Sequence, residues 1–209
     1  MKIQEILINE APLPPDWNKD KFNKSKTSYK DMIAYAKKRS EQAGTGSSRT
    51  AFMVPYQGRK TIIKVAKNSK GLAQNIEEIQ LLSDYYLKGL GITIPMIDSD
   101  TDENQPTWLH TEFAERITLK QLDKFFGHPL GDILRYLDYM VKGNASPHRD
   151  AKLPDEVHEN EYFSALQDFV VNYGMPVGDF YRKANWGLYK GDPVIIDLGL
   201  TPSTVSLYS

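Results

Sequence analysis

The chain contains no cysteine, so it can have no disulfide framework, no thiolate nucleophile and no cysteine-based zinc site. An excess of one charge is also missing. The 26 basic and 27 acidic residues leave a formal net charge of −1, which argues against a general nucleic-acid coat or a polybasic membrane anchor. No apolar run approaches the length of a membrane span, and the N-terminus lacks the continuous apolar stretch of a secretory signal. The expectation is a soluble protein that stays inside the cell where it is made. At 209 residues, 40% hydrophobic and 25% charged, the chain suits one ordinary domain or two small lobes sharing a cleft.

In residues 1–15, Ile3, Ile6 and Leu7 fall at helical spacing, and Pro12, Pro14 and Pro15 must end any helical turn there. Residues 16–25 are polar and lysine-rich and read as a linker or loop. Ser28 or Thr27 can cap a helix over 29–42, with Met32, Ile33, Tyr35 and Ala36 along one side. Between Lys19 and Arg39, eight basic residues stand against Asp20 and Asp31. Such a run reads as a solvated helix face, with a phosphate- or acid-binding face as the alternative.

The stretch that organises the chain is 43–78. It opens with a turn rich in small residues, Gly44, Gly46, Ser47 and Ser48. Two strands follow, Phe52-Met53-Val54 and residues 61–66, with a polar reversal over 56–60. Glycine gives a backbone the freedom to lay its amides near phosphate oxygens, although a hairpin entry also uses it. Lys64 sits in the second apolar run, where a lone lysine would extend to the rim. Glu78 follows 14 residues later on a predicted helix. Glu77 is the alternative carboxylate, and the two point about 100° apart.

Farther on, residues 91–98 read as a strand leading into an acidic turn, and 106–114 as another strand. His110 in that strand reads as a packed or surface histidine rather than a metal ligand. A short helix is expected over 118–126 and longer ones over 129–142 and 156–173, with Gly143 ending the second. The last patterned segment runs from Gly178-Asp179-Phe180 through Asn185-Trp186-Gly187 to a turn at 190–192. It closes on Val194-Ile195-Ile196-Asp197-Leu198-Gly199, where Asp197 at a strand end suits a magnesium ligand.

These parts, in this order, resemble the protein-kinase-like fold across about 40–201. The fold so implied is α+β: two-lobed and protein-kinase-like, with a truncated helical C-lobe and an N-terminal helical extension. Residues 1–39 form the extension, 40–114 an N-lobe that is mainly antiparallel sheet plus one helix, and 115–209 the reduced helical C-lobe. The resemblance implies ATP and Mg2+ as cofactors. Gly44, Gly46, Ser47 and Ser48 would cover the phosphates, and Lys64, held by Glu78, would pair with them. Thr111 would lie behind the adenine, with Glu112, Phe113 and Ala114 as the hinge that holds it. Asn185 and Asp197 would hold the metal, and Asp179 would orient the acceptor hydroxyl. The helix over 118–126 would cover the cleft mouth.

Departures from that pattern are specific. Arg49 replaces the third glycine of the loop, where it would add charge to the phosphates or occlude them, and Ala51 replaces the adenine-facing valine. Asp179 precedes Asn185 by six residues rather than five, so an ungapped match puts Phe180 in the catalytic position. His148-Arg149-Asp150 spells the kinase catalytic tripeptide, but it lies in a polar loop 47 residues before Asp197, and we read it as a coincidence. Ten residues, 200–209, follow the Asp-Leu-Gly motif, too few for a peptide-docking platform.

The chain also looks like the compact kinase-like proteins of tailed bacteriophages. The shared motifs are Gly44 to Arg49, Lys64 to Asn68, Gly71 to Asn75, and Trp186-Gly187. Ile8-Asn9-Glu10-Ala11 resembles the maturation-protease site that ends the capsid-targeting peptides of internal head proteins, with 1–10 as the peptide. The implied location is the host cytoplasm or the phage head. The implied partners are a nucleotide and a host or phage protein, with no nucleic acid and no membrane. Two functions stay open: an ATP- and magnesium-dependent phosphotransferase, and a catalytically inactive pseudokinase of the virion that acts on a host protein.

Overall fold

The structure, a computed structural model, describes residue 14 and residues 17–199. The expected turn at Ile3, Ile6 and Leu7, the Ile8-Asn9-Glu10-Ala11 motif and residues 200–209 lie outside the described residues.

Five strands form one antiparallel sheet in the order β1-β2-β3-β5-β4: β1 Glu41–Thr45, β2 Arg49–Tyr56, β3 Arg59–Ala66, β4 Met96–Ser99 and β5 Trp108–Glu112. The β2–β3 reversal is a two-residue turn, Gln57-Gly58, with φ of +48° and +77°. Left-handed backbone at both positions matches the twist of a hairpin. Strand alternation then sorts the side chains. Phe52 and Val54 of β2, Ile63 and Val65 of β3 and Trp108 of β5 form one buried cluster on one face. Ala51, Lys64 and Leu109 are neighbours in the register of the opposite face.

The first face is covered by α1 (Tyr29–Lys37), through Met32 and Ala36, and by Trp17 and Phe22, which stack at 5.3 Å. The segment that reads as a polar linker therefore belongs to the sheet's core. Its two aromatic residues anchor it while Lys19 and Lys21 stay exposed, and Lys19–Phe22 is a 3-10 turn. Helix α1 is capped by Ser28 as expected but ends at Lys37 rather than Gln42. Pairing with β2 (Glu41↔Met53, Gln42↔Phe52) draws those residues into a strand instead.

His110 lies fully buried within this face. Its Nε2 is 2.7 Å from the Thr61 hydroxyl, which donates its own proton to the Val54 carbonyl at 3.1 Å. Thr61 can then only accept, so the imidazole proton sits on Nε2. Nδ1 is left as a buried lone pair with no hydrogen-bond partner among the described residues. Burial, and next the charge of Arg59, push the pKa of His110 down to about 4.

On the opposite side α2 (Ser69–Ser83) packs against β3 and β5, with the Asn68 side chain capping it at Gly71 N. The remaining elements are α3 (Tyr85–Leu90), β6 (Glu115–Arg116), α4 (Leu119–Phe126), α5 (Leu130–Lys142), α6 (Asp155–His158), α7 (Glu161–Asn172), β7 (Trp186–Tyr189) and β8 (Asp192–Ile195). A second core, including Leu122, Phe126, Ile133, Phe163, Phe169 and Trp186, holds the helices to a small β6-β7-β8 sheet. The helix expected over 156–173 is broken, because Asn160 caps α7 and ties its side-chain amide to the Phe125 carbonyl at 2.8 Å. The strand expected over 91–98 shortens to β4, and Thr93 instead bridges Ile195 in parallel. With hydrogen bonds Ile94 N to Ile195 O and Ile195 N to Ile92 O, this bridge joins the five-stranded sheet to the β7–β8 hairpin. The architecture is α+β, and among the described residues no helix is long and apolar enough to cross a membrane.

Candidate functional site

The small-residue turn spans 46–48 between β1 and β2 and is pinned from outside. Lys67 Nζ donates to the Gly46 carbonyl at 2.8 Å, Asn68 Nδ2 to the Ser47 carbonyl at 3.2 Å, and Lys67 N to the Ser48 carbonyl at 2.7 Å. The Ser48 hydroxyl donates to Gln74 Oε1. Gly71 lets α2 approach closely: a Cβ there would run into the Ser48 carbonyl oxygen and lie 3.1 Å from Ala66. Gly44, Gly46 and Ser47 are exposed, whereas Ser48 is buried with its hydroxyl engaged on α2. The turn is thus fastened to the β3–α2 junction.

Directly behind it lies a buried ionic cluster. Strand alternation aims Lys64 away from the aromatic core, and its Nζ lies 2.5 Å from Glu78 Oε1 and 2.6 Å from the Ile196 carbonyl. Glu78, rather than the adjacent Glu77, makes this pair. Arg49 completes the cluster: Nη1 reaches Glu78 Oε2 at 2.5 Å and Asn75 Oδ1 at 3.3 Å, and Nη2 reaches Asp197 Oδ1 at 2.5 Å. Glu78 is fully buried, Lys64 and Arg49 nearly so, but half of the Asp197 side chain is exposed. The surrounding protein removes some hydration from Asp197 and works against its charge. Arg49, Lys64 and the Gly199 N–H outweigh that effect and hold its pKa below the usual carboxylate range.

Asp179 and Asn185 lie beneath, on the 3-10 turns Val177–Tyr181 and Lys183–Asn185. Asn185 Nδ2 donates to the Asp179 carbonyl at 3.0 Å, which leaves Oδ1 as the acceptor end of the amide. Its carbonyl accepts from Ile196 N at 2.8 Å, which ties it to the segment after β8 that carries Asp197. Burial raises the pKa of Asp179; Arg182, 4.0 Å away, opposes the shift and Asp197 adds to it. Phe180 does not share this position. It is buried against Phe169 and Trp186, and the Trp186 indole N–H donates to its carbonyl at 2.9 Å. Of the two register choices, Asp179 faces the carboxylate cluster and Phe180 the core.

The fold thus brings Lys64, Glu78 and Asp197 together, with Asp179 and Asn185 alongside. It does not bring Glu112 there by its side chain, which forms a bidentate pair with Arg59 at 2.8 and 3.0 Å. Ala114 packs on Gly187, where a Cβ would come within 2.6 Å of the Ala114 Cβ. Thr111 is buried on the inner face of β5. His148-Arg149-Asp150 lies on the α5–α6 connection, where His148 N bonds to Ser146, itself bonded to Asp138 of α5. Lys67, Asn68, Gln74 and Asn75, the residues that grip the turn and Arg49, were visible in the sequence as shared motifs but without a role. For Gln74 and Asn75 the signal is that they share with Glu78 the buried face of α2. The chain matches no family model and no curated protein.

Proposed function

We propose that the chain is a protein-kinase-like protein of the tailed-phage type that binds ATP and magnesium and transfers phosphate to a host or phage target. The observation that carries this reading is Lys64, held by buried Glu78 and aimed beside Asp197 by its bond to the Ile196 carbonyl. The strand order β1-β2-β3-β5-β4, with Lys64 on β3 and Glu78 on the next helix, supports a two-lobed kinase-like arrangement. In this reading Lys64 neutralises and positions phosphate oxygens, and the turn at 46–48 lies over them. Asp197 and Asn185 Oδ1 suit magnesium, which needs few protein ligands because it keeps several waters. The metal supplies charge neutralisation of the phosphates. The raised pKa of Asp179 suits a carboxylate that orients an acceptor hydroxyl and takes its proton.

Thermal unfolding with and without magnesium and ATP tests the proposal. At a ligand concentration 100-fold above Kd the stabilisation is about 2.7 kcal/mol, or roughly 5–11 °C for a chain of this size. Lys64→Ala and Asp197→Ala should abolish the shift and any phosphate transfer. An undiminished shift in both variants refutes the assignment. A second reading, a pseudokinase carried in the virion or released into the host cytoplasm, is favoured by Arg49, which engages the proposed metal ligand. It expects nucleotide binding without transfer, and a mature N-terminus at Ala11 in virion-derived protein. Readily measured transfer to a target removes it.

A further inference from the structure

We propose that Arg49 is an internal latch, a tethered cation that occupies Asp197 until magnesium and nucleotide displace it. The inference rests on the nucleotide reading above and concerns how that site opens. Arg49 stands at the first residue of β2, immediately after the turn at 46–48. One guanidinium nitrogen is bound to Glu78 and the other to Asp197 Oδ1, so a single planar group spans the α2 carboxylate and the carboxylate after β8. With both Nη nitrogens on carboxylates and the residue only 7% exposed, Arg49 is committed to the carboxylates rather than presented to a phosphate. In the nucleotide reading Asp197 is the carboxylate that a divalent cation would take, and the charge of a guanidinium on its Oδ1 competes with that cation.

The two ends of the latch differ. At Glu78 the contact is dry and reinforced by Asn75, whereas at Asp197 half the side chain meets solvent. Water and a competing cation reach the Asp197 end, so exchange is easier there than at the dry Glu78 end. Opening therefore swings the guanidinium off Asp197 while Lys64 keeps Glu78 paired. Gly199 explains how the closed form fits. Nη2 lies against its backbone, and a Cβ on residue 199 would sit 2.6 Å from Nη2 and 3.1 Å from Cζ. A glycine in the Asp-Leu-Gly motif is thus what lets the latch close.

Calorimetric titration of magnesium with ATP into wild type, Arg49→Met and Gly199→Ala is the test. The first variant removes the cation, and the second crowds it sterically while keeping its charge, pressing also on Gln74 Cβ at 3.0 Å. Both should bind at least tenfold more tightly than wild type. If wild type binds and Arg49→Met binds equally or more weakly, the latch is wrong and the nucleotide site stands. Absence of binding in all three overturns the nucleotide site and the latch with it. Should Arg49→Met fail to fold, the guanidinium NMR resonances of Arg49 in wild type decide. Saturating magnesium and ATP should shift the Nη signals away from their carboxylate-bound position, and unchanged signals at saturation overturn the latch.

Discussion

Glu78→Gln is the sharpest probe of the cluster, because it keeps the side chain's shape and removes the charge that two buried cations share. Lys64 and Arg49 each lie 2.5 Å from one of its oxygens. Without the carboxylate they retain half-exposed Asp197 as the remaining acidic partner described here. Removing one partner of a buried ion pair costs about 3–5 kcal/mol, because the other charge stays desolvated. At about 2–4 °C per kcal/mol for a domain of this size, the melting temperature should fall by roughly 6–20 °C. Either cation variant, Lys64→Met or Arg49→Met, leaves Glu78 paired with the other cation and should cost less than Glu78→Gln. Circular-dichroism melts at low and high salt measure the order, and the buried contacts should respond little to salt. A Glu78→Gln melt within 2 °C of wild type (roughly 1 kcal/mol), or a larger loss from Lys64→Met, would refute this account of the cluster.

Four further outcomes follow from particular contacts. The folded state keeps His110 neutral down to about pH 4, while the unfolded chain takes up that proton near pH 6.5. Stability should therefore be flat with pH above about 6.5 and fall as pH drops toward 4; His110→Phe should flatten that limb in denaturant titrations across pH. Gly71→Ala places a methyl group against the Ser48 carbonyl and Ala66, and overpacking of this kind should cost about 1–3 kcal/mol in chemical denaturation. Phe180→Ala should cost about 3–5 kcal/mol as a core truncation. Asp179→Asn, by contrast, should leave the melt nearly unchanged and remove phosphate transfer, and a stable Phe180→Ala protein would contradict the register chosen for this turn.

Much of the cluster was legible because its geometry is local. Lys64 and Glu78 are separated by a strand end, a cap at Asn68 and nearly three turns of helix, a short path along which the pairing implied by the kinase-like resemblance forms. The cap at Ser28 and the hairpin turns at 57–58 and 190–191 were equally local. The misreadings share a cause. Trp17 and Phe22 look like isolated aromatics in a basic linker until a sheet face is there to receive them. Glu41 and Gln42 continue a helical pattern until β2 offers a ladder.

By itself the sequence determined which side chains could do chemistry and in what order they come: a loop of small residues, a strand lysine, a helix glutamate, then Asn185 and Asp197. Alternation, caps and turn residues act over a few positions, so they are written in the chain. Tertiary structure alone decided what Arg49 does. Its partners lie 29 and 148 residues away, and no local pattern says whether a cation at that position faces phosphate, solvent or carboxylate. Long-range pairing of buried charges selected the carboxylates, because each ion removed from water must find its counterion within the fold.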